Sequence, residues 1–308
     1  MSNNKIDFFI VGYPRSGTTL VATLLNGSNS IYVPAETHFF RRFIKNTKIK
    51  NKEDFIQKFK EDKRLKDLNA SRKLIAECTY STSTPQEAFA CILTKLAKKY
   101  NKKIIGEKTP SHILEYKAIL KAYPNTKIIY ILRDGRDCVY SNIKEKWTYS
   151  NAFKHAAEWN IHISHMESLQ SEHPNSLLVM KYEDIINEPE NSCQEMAEFI
   201  GTSYSQSSQN NFSDSQPIPS WERDWKSKAN EKPDSRNKYK WKKKDKVTNA
   251  ILTSIMHTNL NKYNYDISDI AKNKYTFNYL LNYMIYNTKT YPVLKKLAYI
   301  LRKIKIRK

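Results

Sequence analysis

The sequence predicts an α/β fold with a mostly parallel central sheet, and three observations carry that prediction. Apolar runs alternate with amphipathic helical stretches along the first two thirds of the chain. The runs Phe8 to Val11, Lys127 to Leu132 and Leu177 to Met180 are continuous rather than alternating, as parallel strands covered on both faces require. The first run leads into a loop whose glycines, Gly12 and Gly17, are separated by four residues, and then into a helix. That is a strand, loop and helix unit with the spacing of a phosphate-binding loop.

The elements follow in order. After the strand at Phe8 to Val11, residues Leu20, Val21, Leu24 and Leu25 give the next helix one apolar face. Lys45 to Lys73 is charged, with Phe55 and Phe59 at helical spacing. Phe89, Ile92, Leu93, Leu96 and Ala97 fall on one face of a clear amphipathic helix. Lys103 to Gly106 reads as a short strand. Glu107 to Ser111 reads as a loop, with Ser111 capping a helix from His112 to Ala122. The strand Lys127 to Leu132 ends in Arg133-Asp134-Gly135-Arg136-Asp137 and enters another helix. Ala152 to Leu169 is helical, Leu177 to Met180 is a strand, and Glu188 to Ile200 is a helix stopped by Gly201. Right-handed crossovers place the strand ends, and any ligand, at one edge of such a sheet.

Thr202 to Pro219 is rich in Ser, Asn and Gln and reads as a surface loop. Ser220 to Asp245 is dense in Lys, Arg and Trp, and Val247 to Leu260 suits a helix. Beyond Ile270 there is no acidic residue, and two apolar helical stripes run to the end. The expected organisation is one domain over residues 1–265 and a basic helical C-terminal extension over residues 266–308.

At 308 residues the chain can bury a sizeable core, and its net charge of +21 is extreme. Such a surface draws anions, whether nucleic acid, acidic polysaccharide, anionic lipid or a phosphorylated cofactor. Much of the excess is equally a compositional bias in a chain rich in Lys, Asn and Ile. No RNA- or DNA-reading motif is present, so nucleic acid is not the expected partner. The basic helix Val293 to Ile304 leaves a peripheral membrane contact as an accessory expectation. No apolar stretch of about 18 residues suits a spanning helix, and no signal peptide is visible, so a cytoplasmic protein is expected. Cys78, Cys91, Cys138 and Cys193 lack paired spacing and read as buried free thiols in a reducing compartment. The histidines have no metal-ligand company, so no metal is expected.

The loop carries the chemistry. Backbone N–H groups at a helix N-terminus, with Gly17 allowing close approach, form an anion cradle. Thr18 and Thr19 add hydroxyls, and Arg15 adds a planar cation. A nucleoside-triphosphatase needs a lysine where Thr18 stands, and an acidic metal ligand that the Arg133-Asp134 strand end does not supply. The pattern holds anions with protein cations rather than through magnesium.

Four segments occur together in order: Tyr13 to Thr19, Glu107 to Pro110, Ile131 to Asp137 with Ser141, and Lys181 to Asp184. The ordered set resembles the sulfotransferases that use 3′-phosphoadenosine 5′-phosphosulfate (PAPS), most closely the bacterial and protein-tyrosine branches. The resemblance implies a P-loop-type three-layer sandwich and a sulfuryl transfer from PAPS to a hydroxyl. It implies that Arg15, Ser16, Gly17, Thr18 and Thr19 hold the 5′-phosphosulfate and that Arg133 and Ser141 hold the 3′-phosphate. Tyr182 would lie beside the nucleotide, Lys240 would close over the 3′-phosphate, and Ser227 is the counterpart of the family's stabilising serine. The pattern departs where a further Arg often follows Ser141 by four residues, because Glu145 stands there and Lys144 or Lys146 would have to substitute.

Sulfuryl transfer needs a base for the acceptor hydroxyl and charge stabilisation on the moving group. Glu36, in Pro34-Ala35-Glu36-Thr37-His38, is the candidate base, with His38 as the rival. Arg15 and Lys108 are the expected stabilisers. The alternative is a P-loop kinase or another nucleotide-dependent transferase. The acceptor stays open among peptide tyrosine, saccharide, lipid and small-molecule hydroxyls.

Overall fold

A computed structural model describes residues 5–45, 48–145, 148, 150–205, 238–268, 285–286, 291 and 293–294. The expected C-terminal extension therefore lies almost entirely outside the described residues. The chain divides into two compact units. One is drawn from Met1–Gly12, Ser16–Leu132 and Leu169–Ser235, the other from Tyr13–Arg15, Arg133–Ser168 and Arg236–Lys308.

The first unit holds the sheet. Its strands are β1 (Phe8–Gly12), β2 (Ile31–Tyr32), β3 (Ile104–Lys108), β4 (Lys127–Leu132) and β5 (Leu177–Lys181). They lie in the order β2-β3-β1-β4-β5, with every pairing parallel. All of β1 is buried, which explains its unbroken apolar sequence. Its side chains alternate between two layers. Phe8 and Ile10 join Ile129 and Ile131 against α1 (Thr18–Asn26), α8 (Tyr182–Asn187) and α9 (Pro189–Ile200). Phe9 meets Phe40, His112 and Tyr123 on the opposite face. Each such burial contributes roughly 1.5–3 kcal/mol.

Strand β3 runs further than its apolar residues indicate. Glu107 and Lys108 complete it, and Lys108 pairs in register with Ile10. Both side chains are buried, so polar identity hid strand structure that tertiary partners stabilise. Ser111 does not cap a helix. It lies inside a 3₁₀ turn over Pro110–Glu115 that precedes α5 (Tyr116–Ala122), and its hydroxyl finds no partner among the described residues. Strand β2 went unread because two residues carry no periodicity.

Between β2 and β3 lie a π-helical turn (Phe40–Lys45), α2 (Lys52–Glu61), α3 (Arg72–Tyr80) and α4 (Pro85–Lys99). Helix α4 opens with a complete capping box, Thr84 to Glu87, and Pro85 in its first turn. Phe39 stacks on Phe89 with ring centroids 3.9 Å apart, and Phe43, Phe55 and Phe59 extend the cluster. The segment just before Phe39 is thereby anchored to α4. Cys78 and Cys91 contradict the free-thiol expectation: a disulfide joins α3 to α4, with Cα atoms 5.6 Å apart. Thirteen residues of separation conceal a pair that two packed helices bring together. Cys138 and Cys193 are buried and not disulfide-bonded.

The described part of the second unit is mainly helical. It contains α6 (Gly135–Asn142), most of α7 (Ala152–Glu172), a 3₁₀ turn over Lys240–Lys243 and α10 (Lys246–Lys262). Polar contacts knit it together. Asn160 donates to the Ile255 carbonyl at 2.8 Å and accepts from Asn259 at 2.8 Å.

Candidate active site

The phosphate loop begins where β1 ends. A side chain at Gly12 would press on the Ile131 carbonyl and on Ser16 Oγ, each 2.7 Å from the added carbon. Gly17 has φ +101 and lies against the Tyr182 ring, which leaves no room for a Cβ. Tyr182 is thus packed on the loop. Gly17 caps α1 without a side-chain hydrogen bond, and no acidic residue occupies the helix's first turn. Ser16 is buried, and its hydroxyl has no hydrogen-bond partner among the described residues.

Lys108 closes β3 at the same strand edge. Its side chain is only 2% exposed, and Nζ lies 3.0 Å from Glu36 Oε2 and 3.4 Å from Thr19 Oγ1. The other Glu36 oxygen, Oε1, lies 2.7 Å from His38 Nε2. Arg64, which the sequence did not single out, approaches the same Nε2 at 2.9 Å. Burial lowers the His38 pKa, the hydrogen bond to Glu36 opposes that, and the Arg64 charge reinforces it. The two candidate bases are therefore not alternatives at separate places. They form one cluster, with the carboxylate between a lysine and an imidazole.

Beneath that cluster sits Glu107, fully buried. Oε1 accepts from Thr37 Oγ1 at 2.6 Å and Thr109 Oγ1 at 2.7 Å, and Oε2 lies 2.8 Å from His112 Nδ1. The Phe40 amide donates to His112 Nε2 at 3.3 Å, so Nδ1 carries the proton and donates to Glu107. Burial raises the Glu107 pKa, but His112 and the two hydroxyls outweigh it and hold the carboxyl below its ordinary range. Thr37 lies between Glu36 and His38, and the His38 amide donates to Thr109 at 3.0 Å. Glu107 thus ties the Glu36 segment to the strand end carrying Lys108.

In the second unit the cations are sorted. Arg136 is completely buried. Its guanidinium makes a paired contact with Asp134 at 3.0 and 2.8 Å, reaches Thr253 at 3.0 Å and stacks 3.4 Å over Trp241. Its charge is thus consumed within the fold. Arg133 donates to the Arg15 carbonyl at 3.0 Å and lies 3.6 Å from Asp137 Oδ2. Burial raises the Asp137 pKa against the pull of Arg133. The other Asp137 oxygen accepts the Trp241 amide at 2.9 Å, fixing the turn on which Lys240 stands exposed.

Arg15 has φ +71, a left-handed conformation uncommon outside glycine. Its Nε donates to Ser141 Oγ at 2.9 Å, and Nη2 lies 3.2 Å from Glu145 Oε1. Arg15, Ser141 and Arg133 are therefore gathered in one unit. Ser227 and Lys146 lie outside the described residues. Among those described, no group of His, Cys, Asp or Glu is arranged to hold a metal.

The model of the sulfotransferase family matches residues 7–206, about two thirds of the chain. The chain belongs to that family. Membership sets aside the kinase alternative and accounts for a phosphate loop lacking its lysine. Curated relatives of this sulfotransferase include protein-tyrosine sulfotransferase 2 of Gallus gallus, 28% identical over 204 residues. Protein-tyrosine sulfotransferase 1 of Danio rerio is 25% identical over 197 residues. The matches cover 64% and 62% of this chain but only 51% and 52% of those proteins. The chain thus spans about half the length of these two relatives. Among solved structures, the sulfotransferase domain of the Synechococcus PCC 7002 olefin synthase shares the fold. Its TM-score is 0.58 at 18% identity, over 84% of this chain and 94% of that one.

Proposed function

We propose that this sulfotransferase moves a sulfuryl group from PAPS to an acceptor hydroxyl by in-line displacement, with Glu36 as general base. The observation that carries the proposal is the Glu36 carboxylate held 3.0 Å from the buried Lys108 ammonium at the sheet's ligand edge. The residues fit a bound phosphosulfate. Ser16 offers a buried hydroxyl with no partner among the described residues, and α1 offers first-turn amides that no side chain caps. PAPS supplies the activated sulfuryl group.

The chain's residues supply the rest. Loop amides from Ser16 to Thr19 bind the phosphosulfate end. Lys108 and Arg15 stabilise charge on the moving group, an effect worth about 3–4 kcal/mol for a comparable donor. Glu36 Oε1 or Oε2 takes the acceptor's proton, with the Lys108 ammonium 3.0 Å from Oε2. Arg133, Ser141 and Lys240 bind the 3′-phosphate, which distinguishes PAPS from ATP, while Tyr182 backs the loop.

A tyrosyl hydroxyl is the first acceptor to try, because relatives matching this region are protein-tyrosine sulfotransferases. The test is transfer of labelled sulfate from PAPS to tyrosine peptides and to fractionated cell extract by purified protein. Labelled product from PAPS without added metal supports the proposal. Magnesium-dependent turnover of ATP, with no turnover of PAPS, would sink it.

A further inference from the structure

We infer that Glu145 sets the cofactor affinity of this enzyme by occupying Arg15 in competition with the ligand's phosphate. The inference rests on the PAPS reading above and concerns a residue outside that machinery. Three observations converge on it. Arg15 Nη2 pairs with Glu145 Oε1 at 3.2 Å, and Arg15 Nε simultaneously donates to Ser141 at 2.9 Å. One carboxylate and one hydroxyl thereby engage the Nη2 and Nε donors of a planar guanidinium, a donor pair that two phosphate oxygens could take together. Both partners are mostly buried, with side chains 22% and 15% exposed, so the contact is shielded from water on most sides.

The backbone around Glu145 supports a fixed position. Helix α6 ends at Asn142, whose carbonyl accepts the Glu145 amide at 2.9 Å, and the Glu145 carbonyl accepts from Thr148 at 3.3 Å. The carboxylate is therefore delivered by a turn rather than by a long free segment. The neighbouring cations are otherwise directed. Arg133 lies against Asp137, Arg136 is consumed by Asp134, and Lys144 is exposed.

Two consequences follow for a phosphate arriving at Arg15. It must exchange with Glu145 for the guanidinium, and the displaced carboxylate then stands as a like charge nearby. Both weaken binding, and both speed departure of the 3′,5′-bisphosphate product (PAP). Glu145 thus trades affinity for turnover, in the position where an additional cation would tighten the grip.

The experiment is calorimetric titration of PAP into four full-length proteins: wild type, Glu145→Gln, Arg15→Ala and the double variant. Glu145→Gln should bind PAP about tenfold tighter than wild type, with Glu145→Ala giving the same sign. In the Arg15→Ala background the same change should alter affinity by less than about twofold. Unchanged or weaker PAP binding in both Glu145 variants overturns the inference. So does a gain that persists undiminished without Arg15, because Glu145 would then act as bulk negative charge. If neither wild type nor Glu145→Gln binds PAP at all, the PAPS reading falls and takes this inference with it.

Discussion

The Glu36 cluster in the first unit and the Arg15 cluster in the second use the same chemistry in opposite senses. Around Glu36 the proposed working group is a carboxylate, held by the Lys108 ammonium at 3.0 Å on one oxygen and by the His38 imidazole at 2.7 Å on the other. Around Arg15 the proposed working group is a cation, held by a carboxylate, Glu145 at 3.2 Å. An ion pair therefore says little about function until one knows which member meets the ligand. The two clusters also differ in how they are supported. Glu36 rests on a buried polar network centred on Glu107, whereas Arg15 reaches Ser141 and Glu145 from a strained left-handed backbone.

The strongest way to break this contrast is to remove the working carboxylate. Glu36→Gln keeps the shape and the Lys108 contact but cannot take a proton. The turnover rate should fall by roughly 10²–10⁴. PAP affinity, measured by calorimetry, should stay within about twofold of wild type. Wild-type turnover in the variant would pass the base role to His38, which touches the same carboxylate. Because carboxylate removal at Glu145 is expected to tighten PAP, the two substitutions give opposite readings of one chemical change.

A smaller effect tests the cation side. Arg133→Ala removes a charge that donates to the Arg15 carbonyl and faces Asp137. Losing a hydrogen bond to a charged phosphate costs about 1.5–3 kcal/mol, roughly a tenfold to hundredfold loss of PAP affinity. Adenosine 5′-phosphosulfate, which lacks the 3′-phosphate, should lose far less. Equal losses for the two nucleotides would mean that Arg133 serves only to place Arg15.

What could be read from the sequence divides along the same line. The apolar runs of β1, β4 and β5 announce strands because burial on both faces dictates their composition. The loop from Gly12 to Thr19 announces an anion cradle because its glycines are demanded by the Ile131 carbonyl and the Tyr182 ring. Partnerships between polar residues far apart in sequence were not legible. Glu107 looked like a loop residue, yet it ends buried in β3 with donors from three positions. Glu145 looked like a mere departure from pattern, yet it pairs with Arg15 130 residues earlier in the chain. Nor does the sequence show that Arg136 pairs with Asp134, only two residues away. Periodicity and composition report burial of apolar area, but they do not report which charge meets which.

The smallest expected effect probes the support rather than the working groups. Glu107→Gln leaves one oxygen and an amide where Thr37, Thr109 and His112 all donate, so at least one buried donor loses its acceptor. That should cost about 1–3 kcal/mol of stability. The wild-type pH profile carries a matching signature. The folded-state pKa of Glu107 is depressed, so its contribution is full above the unfolded carboxyl value of about 4.3 and is lost as pH falls through the lower folded value. Melting temperatures measured from pH 7 down to pH 3 should decline more steeply for wild type than for Glu107→Gln, and the two curves should converge at the acid end. Parallel curves would mean that Glu107 is protonated in the folded protein. The Glu36 segment would then be held by hydroxyl and imidazole contacts alone, without a buried negative charge beneath it.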